Sequence, residues 1–372
     1  YNMGMERSIK AYALEELQAL MEELGQPAFR AKQLYEWLHS HHATAYDQMT
    51  NLPKGLRERL EATHPLASPS IADLQVSRDG TRKYVLEMPD GARVEAVGIP
   101  TFDEEGRLSR LTVCVSTQAG CPMGCVFCAT GHEGLARSLS SDEIVDQVHL
   151  VQDDFGCRVS NVVAMGQGEP FLNYDATLAA LRKLNEKGGL NIGARHITVS
   201  TCGVIESIDA LALEPEQFTL AVSLHAATQG VRDALMPQAR RYPLPALKAA
   251  LQRYVERTHR RVTLECLLIQ DVNDSDDDLQ ALIGFCHGLM CHVNLLPMNP
   301  VDSYGMRPAS AQRLREWRDE LERQVREAYE IPIVEANLAE DAATPVAKEG
   351  KKKVAIGLVA SAAVCAFVCG VT

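Results

Sequence analysis

Cys121-Pro122-Met123-Gly124-Cys125-Val126-Phe127-Cys128 follows directly on an apolar, β-branched run, Leu111–Ser116, so three cysteines stand in the loop after a buried strand. From that strand onward the pattern is strand then helix, repeated. Asn161–Met165, His196–Ser200, Phe218–Leu224, Arg261–Ile269 and His292–Pro297 read as strands, and Ser141–Asp153, Tyr174–Lys187, Leu244–Thr258 and Asp276–His287 as helices between them. Six β/α units of this length predict an α/β fold with a parallel sheet closed, or nearly closed, into a barrel. Its chemistry should lie at the carboxyl ends of the strands. Upstream, residues 9–64 show helical spacing, with Leu14, Leu17, Leu20, Met21 and Leu24 before a break at Gly25 and Pro27. Asp79-Gly80 and Asp90-Gly91 mark hairpins between 70 and 100, because Asp-Gly supplies the positive φ of a tight turn. The organisation expected is a helical module over 1–64, a β-hairpin connector over 65–110, the barrel over 111–335 and an atypical tail over 336–372. A charged amphipathic helix over Ala309–Tyr329 closes the barrel segment.

The chain has 372 residues, 46% of them hydrophobic, and a formal charge of −12. That charge excludes a globally basic nucleic-acid binder, so a polyanionic partner has to meet a local basic face. Eleven cysteines without a secretory signal peptide point to a reducing, cytoplasmic setting in which clustered thiols serve metals or catalysis. Three thiolates at these spacings can hold a 4Fe–4S cluster and leave its fourth iron without a protein ligand. An open iron can be chelated by the amino and carboxylate groups of S-adenosylmethionine, whose sulfonium bond electron transfer then breaks. Structural zinc would want a fourth ligand, and no His or Cys stands beside the three at finger-like spacing. Buried, inert thiols are the other alternative. Gly166-Gln167-Gly168-Glu169-Pro170, after the second barrel strand, has glycines that admit a close backbone approach and a carboxylate that can accept from an ammonium.

These residues resemble the radical S-adenosylmethionine superfamily, and within it the adenine carbon-2 RNA methyltransferases of the RlmN type, over about residues 10–330. The resemblance is carried by Pro27–Leu34 with Trp37, Met49–Lys54, Val94-Glu95-Ala96-Val97, Cys114–Cys121, Gly166–Pro170 with Asn173, Ser200–Gly203, Ser223-Leu224-His225 and Asn299-Pro300. It implies a partial parallel (β/α)6 barrel with a small N-terminal helical domain. It implies a 4Fe–4S cluster on Cys121, Cys125 and Cys128, and S-adenosylmethionine held by Gly168, Glu169, Ser200, Ser223, Leu224, His225 and Asn299. Glu95 becomes the proton acceptor, a task that asks for burial. Cys114 becomes the resolving thiol, which releases the methylated RNA and ends in a disulfide with the carrier cysteine. That carrier is methylated by one cofactor molecule, and a second is cleaved to a radical that takes hydrogen from the new methyl group. The implied substrates are adenosines of large-subunit ribosomal RNA and of a tRNA anticodon loop, with flavodoxin or ferredoxin as electron donor to a monomeric protein.

One departure stands out. Where the family's carrier cysteine belongs, the nearest match is Asp341-Ala342-Ala343-Thr344, and a threonine hydroxyl neither accepts the methyl group readily nor forms a disulfide. Cys365 and Cys369 are the substitutes available. The alternatives to methylation are a radical enzyme without methyl transfer and a non-catalytic RNA-binding descendant. RNA contact is expected at Arg30, Lys32, Lys54 and Arg57, with Arg240, Arg241, Arg260 and Arg261. Residues 354–371 carry no charge and barely suffice to span a bilayer, but their small residues make a packed or irregular tail the better reading.

Overall fold

The computed structural model describes residues 8–298, 305–328 and 334–336. Its strands are β1 (Ser70–Val76), β2 (Arg82–Glu87), β3 (Arg93–Phe102), β4 (Leu108–Cys114), β5 (Gln118–Gly120), β6 (Leu135–Ser138), β7 (Asn161–Ala164), β8 (Ile197–Thr201), β9 (Thr219–Ser223), β10 (Val262–Leu268), β11 (Cys291–Pro297) and β12 (Val334–Ala336). The α-helices are α1 (Leu14–Glu23), α2 (Phe29–His39), α3 (Lys54–Thr63), α4 (Ala129–Glu133), α5 (Ser141–Phe155), α6 (Tyr174–Asn185), α7 (Ile205–Leu211), α8 (Gln229–Leu235), α9 (Leu244–Thr258), α10 (Asp276–Cys286) and α11 (Ala311–Ala328). All six strands expected of the β/α repeat are present, as β4, β7, β8, β9, β10 and β11, and β12 adds a further parallel strand.

Two compact units emerge. The first comprises residues 8–122, 133–200 and 215–219; the second comprises 123–132, 201–214 and the described residues from 220 on. In the first, antiparallel β1-β2-β3-β4 continues into parallel β7 and β8. Gly80 and Gly91 take the positive φ, 85° each, that their Asp-Gly turns require. In the second unit β9, β10, β11 and β12 run parallel. Helix α10 starts where the sequence supplies a cap: Ser275 accepts from the Asp278 amide, and three acids fill the first turn beneath the helix dipole.

Within the first unit the N-terminal helices enclose their own apolar cluster, formed by Leu17, Leu20, Met21, Leu34, Leu38, Met49 and Leu60. A buried polar network ties this module to α5. Lys10 Nζ donates to Ser68 Oγ at 2.6 Å and to Asp146 Oδ2 at 2.9 Å, while Lys183 donates to the Lys10 carbonyl. His42 Nδ1 lies 2.7 Å from Asp153 Oδ2, and its ring stacks on His149 at 4.4 Å between centroids. Burial outweighs the attraction of Lys10 and holds the Asp146 carboxyl above the usual carboxylate range. Removing one member of a buried pair leaves the other charge uncompensated. Asp146→Ala is therefore expected to cost roughly 3–5 kcal/mol, and adding Lys10→Met should return most of it. Urea titrations of the single and double variants measure both; a single variant within about 1 kcal/mol of the parent would show that the pair is dispensable.

Candidate active site

In the first unit, the segment leading to the cysteine loop is fastened on three sides at Ser116. Its amide donates to Gln147 Oε1 at 2.8 Å, and its carbonyl accepts from Gln147 Nε2 at 2.9 Å. Its hydroxyl donates to the Glu95 carbonyl at 2.6 Å and accepts from the Gln167 amide at 2.9 Å. The Gly166–Pro170 turn closes against the same segment: Gly166 N donates to Val115 O, Thr117 N to Gln167 O, and Glu169 N to Gln118 Oε1. A Cβ on Gly166 would meet the Val115 carbonyl oxygen at 2.7 Å, and one on Gly168, at φ +104°, would meet Gln118 Cβ at the same distance. The glycines thus allow close chain-to-chain packing here. Glu169 is buried, and its Oε1 accepts from the Phe171 amide. Asn173 donates to the Thr117 and Leu139 carbonyls.

Register sets the next pair. Val97 lies opposite Cys114 in the antiparallel β3–β4 ladder, and Glu95 is two residues from Val97, so Glu95 and Cys114 share one face of the sheet. Parallel pairing extends that face through Val163 to Thr198, and hence to Ser200. Cys114 is buried. Glu95 is half-buried and bound by Lys83 Nζ at 2.6 Å, a partner that nothing in the local sequence announced.

The cysteine loop is shaped by short-range bonds. Cys121 N donates to Gly134 O at 2.8 Å, Gly124 adopts φ +63°, and Cys128 N donates to Cys125 O at 3.1 Å. Gly131 is obligatory, since a Cβ there would lie 2.8 Å from Cys125 O. Cys121 and Cys125 are buried and Cys128 is half-buried. Among the described residues, no three acidic, His or Cys side chains are gathered into a ready-made cage for a metal ion.

The second unit holds the remaining candidates. The Phe127 ring meets His225 edge-on at 4.8 Å. His225, at φ +55°, accepts from the Leu267 amide at Nδ1, and burial presses its imidazole down to about 3, so it is neutral. Leu224 is buried, and Ser223 ends β9. Arg232 is fully buried; it donates to the Cys202 carbonyl at 2.7 Å and to Ala239 O at 3.4 Å, and its Nε has no partner. No carboxylate forms an ion pair with it among the described residues, and the groups whose charge it senses are Cys202, Cys125 and Asp233. A buried guanidinium in such company suits thiolates. The thiol chemistry around Cys125 therefore fits an iron–sulfur cluster. Asn299, Thr344, Cys365, Cys369 and the apolar run 354–371 lie outside the described residues. No described helix is long and apolar enough to cross a membrane.

Of the cations expected to meet RNA, Lys32 and Lys54 pair with Glu36 and Glu58 one turn on, and Arg30 and Arg57 donate to the Asn51 and Asp47 carbonyls. Arg240 and Arg241 bond within their own 3-10 turn.

The parallel strands and the three-cysteine loop define a radical S-adenosylmethionine protein: residues 115–283 match the radical SAM superfamily, and residues 9–65 match the ribosomal RNA large subunit methyltransferase N-terminal domain. A probable dual-specificity RNA methyltransferase RlmN of Synechococcus elongatus is 46% identical over 318 residues, covering 84% of this chain and 86% of the relative. Its counterpart in Geobacillus kaustophilus is 46% identical over 308 residues, with 82% and 83% covered. A radical SAM methyltransferase from Sphaerobacter thermophilus, known from its crystal structure, superposes with a TM-score of 0.81 at 41% identity, covering 89% of this chain and 95% of that one. The chain belongs to the RlmN family.

Sequence reasoning passed over Lys83, Gln147, Arg232 and Glu265. A signal existed for Glu265, a lone carboxylate within the apolar run Val262–Leu268, and for Gln147, which falls on the apolar stripe of α5 with Ile144 and Val151. Glu265 is buried, and desolvation pushes its carboxyl up to about 7.

The buried titratable groups set a pH dependence. His225 (about 3), His292 (about 4), His39 and His149 are all depressed by burial, so their contribution is complete above pH 6.5 and is lost as acid protonates the unfolded chain. Glu265 and Asp146 act oppositely: raised in the fold, they contribute at low pH and cease to as pH rises through the folded value. Stability should therefore fall from pH 6.5 toward 5, and Glu265→Gln should steepen that fall by up to about 1.4 kcal/mol per pH unit. Urea midpoints at pH 5, 6 and 7 check it; a flat profile would contradict the assignment of neutral imidazoles.

Proposed function

We propose that this protein is a radical S-adenosylmethionine enzyme that methylates carbon 2 of adenosine in RNA, with ribosomal RNA and tRNA as its substrate classes. The observation that carries the reading is the shared sheet face of Glu95 and Cys114, because methylation of an aromatic carbon needs both a proton acceptor and a thiol that frees the product. The cluster on Cys121, Cys125 and Cys128, with the S-adenosylmethionine it binds, supplies radical chemistry. Glu95 accepts the ring proton, and Lys83 orients the carboxylate through their ion pair. Cys114 keeps its thiol out of bulk solvent until the product is to be released. Phe127 and neutral His225 pack together beside Cys125 and Cys128 in the chain. Glu169, Ser200, Ser223 and Asn299 are the polar groups assigned to the cofactor.

Thr344 favours a second reading, in which the cofactor is cleaved and no methyl group reaches RNA. Anaerobic reconstitution should give about four irons per chain, lost in Cys125→Ala. The protein is then assayed for deoxyadenosine and, in RNA from cells lacking carbon-2 methylation, for 2-methyladenosine. The first reading expects both products, with Glu95→Gln lowering methylation about 10²–10⁴-fold while cofactor cleavage persists. The second expects deoxyadenosine alone until Thr344–Ala347 is replaced by Cys-Gly-Gln-Leu. Stoichiometric zinc with no deoxyadenosine would remove both.

A further inference from the structure

Every residue of β10 is buried, yet Glu265 sits at its middle. Cys266 and Leu268 line a small cavity with Leu282 of α10 and Trp317 of α11, so those alternate positions face the helices. Glu265 accordingly points to the opposite face, where parallel register sets Ser223 of β9 on one side and Asn294 of β11 on the other. Its Oε2 accepts from Asn294 Nδ2 at 2.9 Å, while its Oε1, with the residue only 3% exposed, has no partner. No ion pair to Glu265 is formed among the described residues, and three of the unit's arginines are committed elsewhere: Arg232 to the Cys202 and Ala239 carbonyls, Arg253 to Asp209, Arg313 to Asp276. His225 cannot serve, being neutral and anchored at Nδ1 by the Leu267 amide.

A carboxylate is a costly filler for such a position, since an apolar side chain of similar size would bury without penalty. An oxygen left unpaired beside a serine already assigned to the cofactor is accounted for by a ligand that brings positive charge. We propose that Glu265 is a ligand-contacting residue that provides the anionic counter-charge for S-adenosylmethionine and selects this sulfonium over its neutral thioether product, S-adenosylhomocysteine. The inference rests on the cofactor reading above.

Equilibrium dialysis of cluster-loaded protein with each of the two compounds tests it by affinity, independently of turnover. The parent should prefer S-adenosylmethionine. Glu265→Gln should weaken that ligand by about tenfold or more and the thioether by much less, whereas Glu265→Asp, which keeps the charge, should retain the preference. Equal losses for both ligands, or none for either, would overturn the proposal. So would a parent protein that binds both compounds equally, a measurement that needs no variant to fold. A parent that binds neither compound would refute the cofactor reading itself, and this inference with it.

Discussion

Ser116 is the joint on which the first unit's chemistry depends. One residue offers an amide, a carbonyl and a hydroxyl, and each is committed: the backbone pair to the carboxamide of Gln147, the hydroxyl to the Glu95 carbonyl and the Gln167 amide. Because Ser116 and Gln147 are buried, opening either bond between them strands a donor or acceptor away from water, at a cost of about 1–3 kcal/mol. The three elements that must agree in position are the strand of Glu95, the Gly166–Pro170 turn and the segment running toward Cys121. They therefore move together or not at all. The glycines of the turn are part of the same constraint, since any side chain at Gly166 would push the turn off Val115 and Ser116.

The second unit is built on the opposite principle, with polar groups left deliberately short of partners. Among the described residues, Arg232 is buried without a carboxylate ion-pair partner and Glu265 without a cation. Each costs folding free energy in the bare chain, and each is repaid by whatever binds the folded state with the complementary charge. Thiolates around Arg232 and a cationic cofactor at Glu265 are charges of the required signs. Stability and loading are then coupled, because a ligand that neutralises these groups stabilises the fold that displays them.

Much of this was legible in the sequence, and the boundary has a physical cause. Periodicity exposed the six strands and the helices between them to within a few residues, because each element has to bury one face. The motif Cys121–Cys128 pointed to the superfamily that residues 115–283 match, since cysteine spacing is a local property. What local sequence could not carry was the pairing of distant chain segments: Lys83 against Glu95, Gln147 against Ser116, Asn294 against Glu265. Each of these contacts is set by register or by how a helix seats on a sheet. The N-terminal cations have partners that are local in the chain, Lys32 with Glu36 and Lys54 with Glu58 one helical turn on, so these pairs follow from spacing alone.

Register also explains why the β3–β4 hairpin matters to chemistry far from its tip. The turn at Asp103–Arg107 is tight, with Asp103 N donating to Arg107 O and Gly106 at φ +75°. Just inside it the ladder shifts between Thr101 and Phe102, and Ser109 has no partner in the register, its hydroxyl donating instead to the Thr101 carbonyl. That bulge absorbs one residue of β4. Without it, each residue beyond would pair one position out of step, and since side chains alternate faces, Cys114 would turn away from the face that Glu95 occupies. The half of the ladder that carries Val97 and Cys114 is free of further shifts, and β7 and β8 continue the same face in parallel through Val163 and Thr198. A single extra residue next to an exposed turn thus decides whether a carboxylate and a thiol from adjacent strands share one face of the sheet.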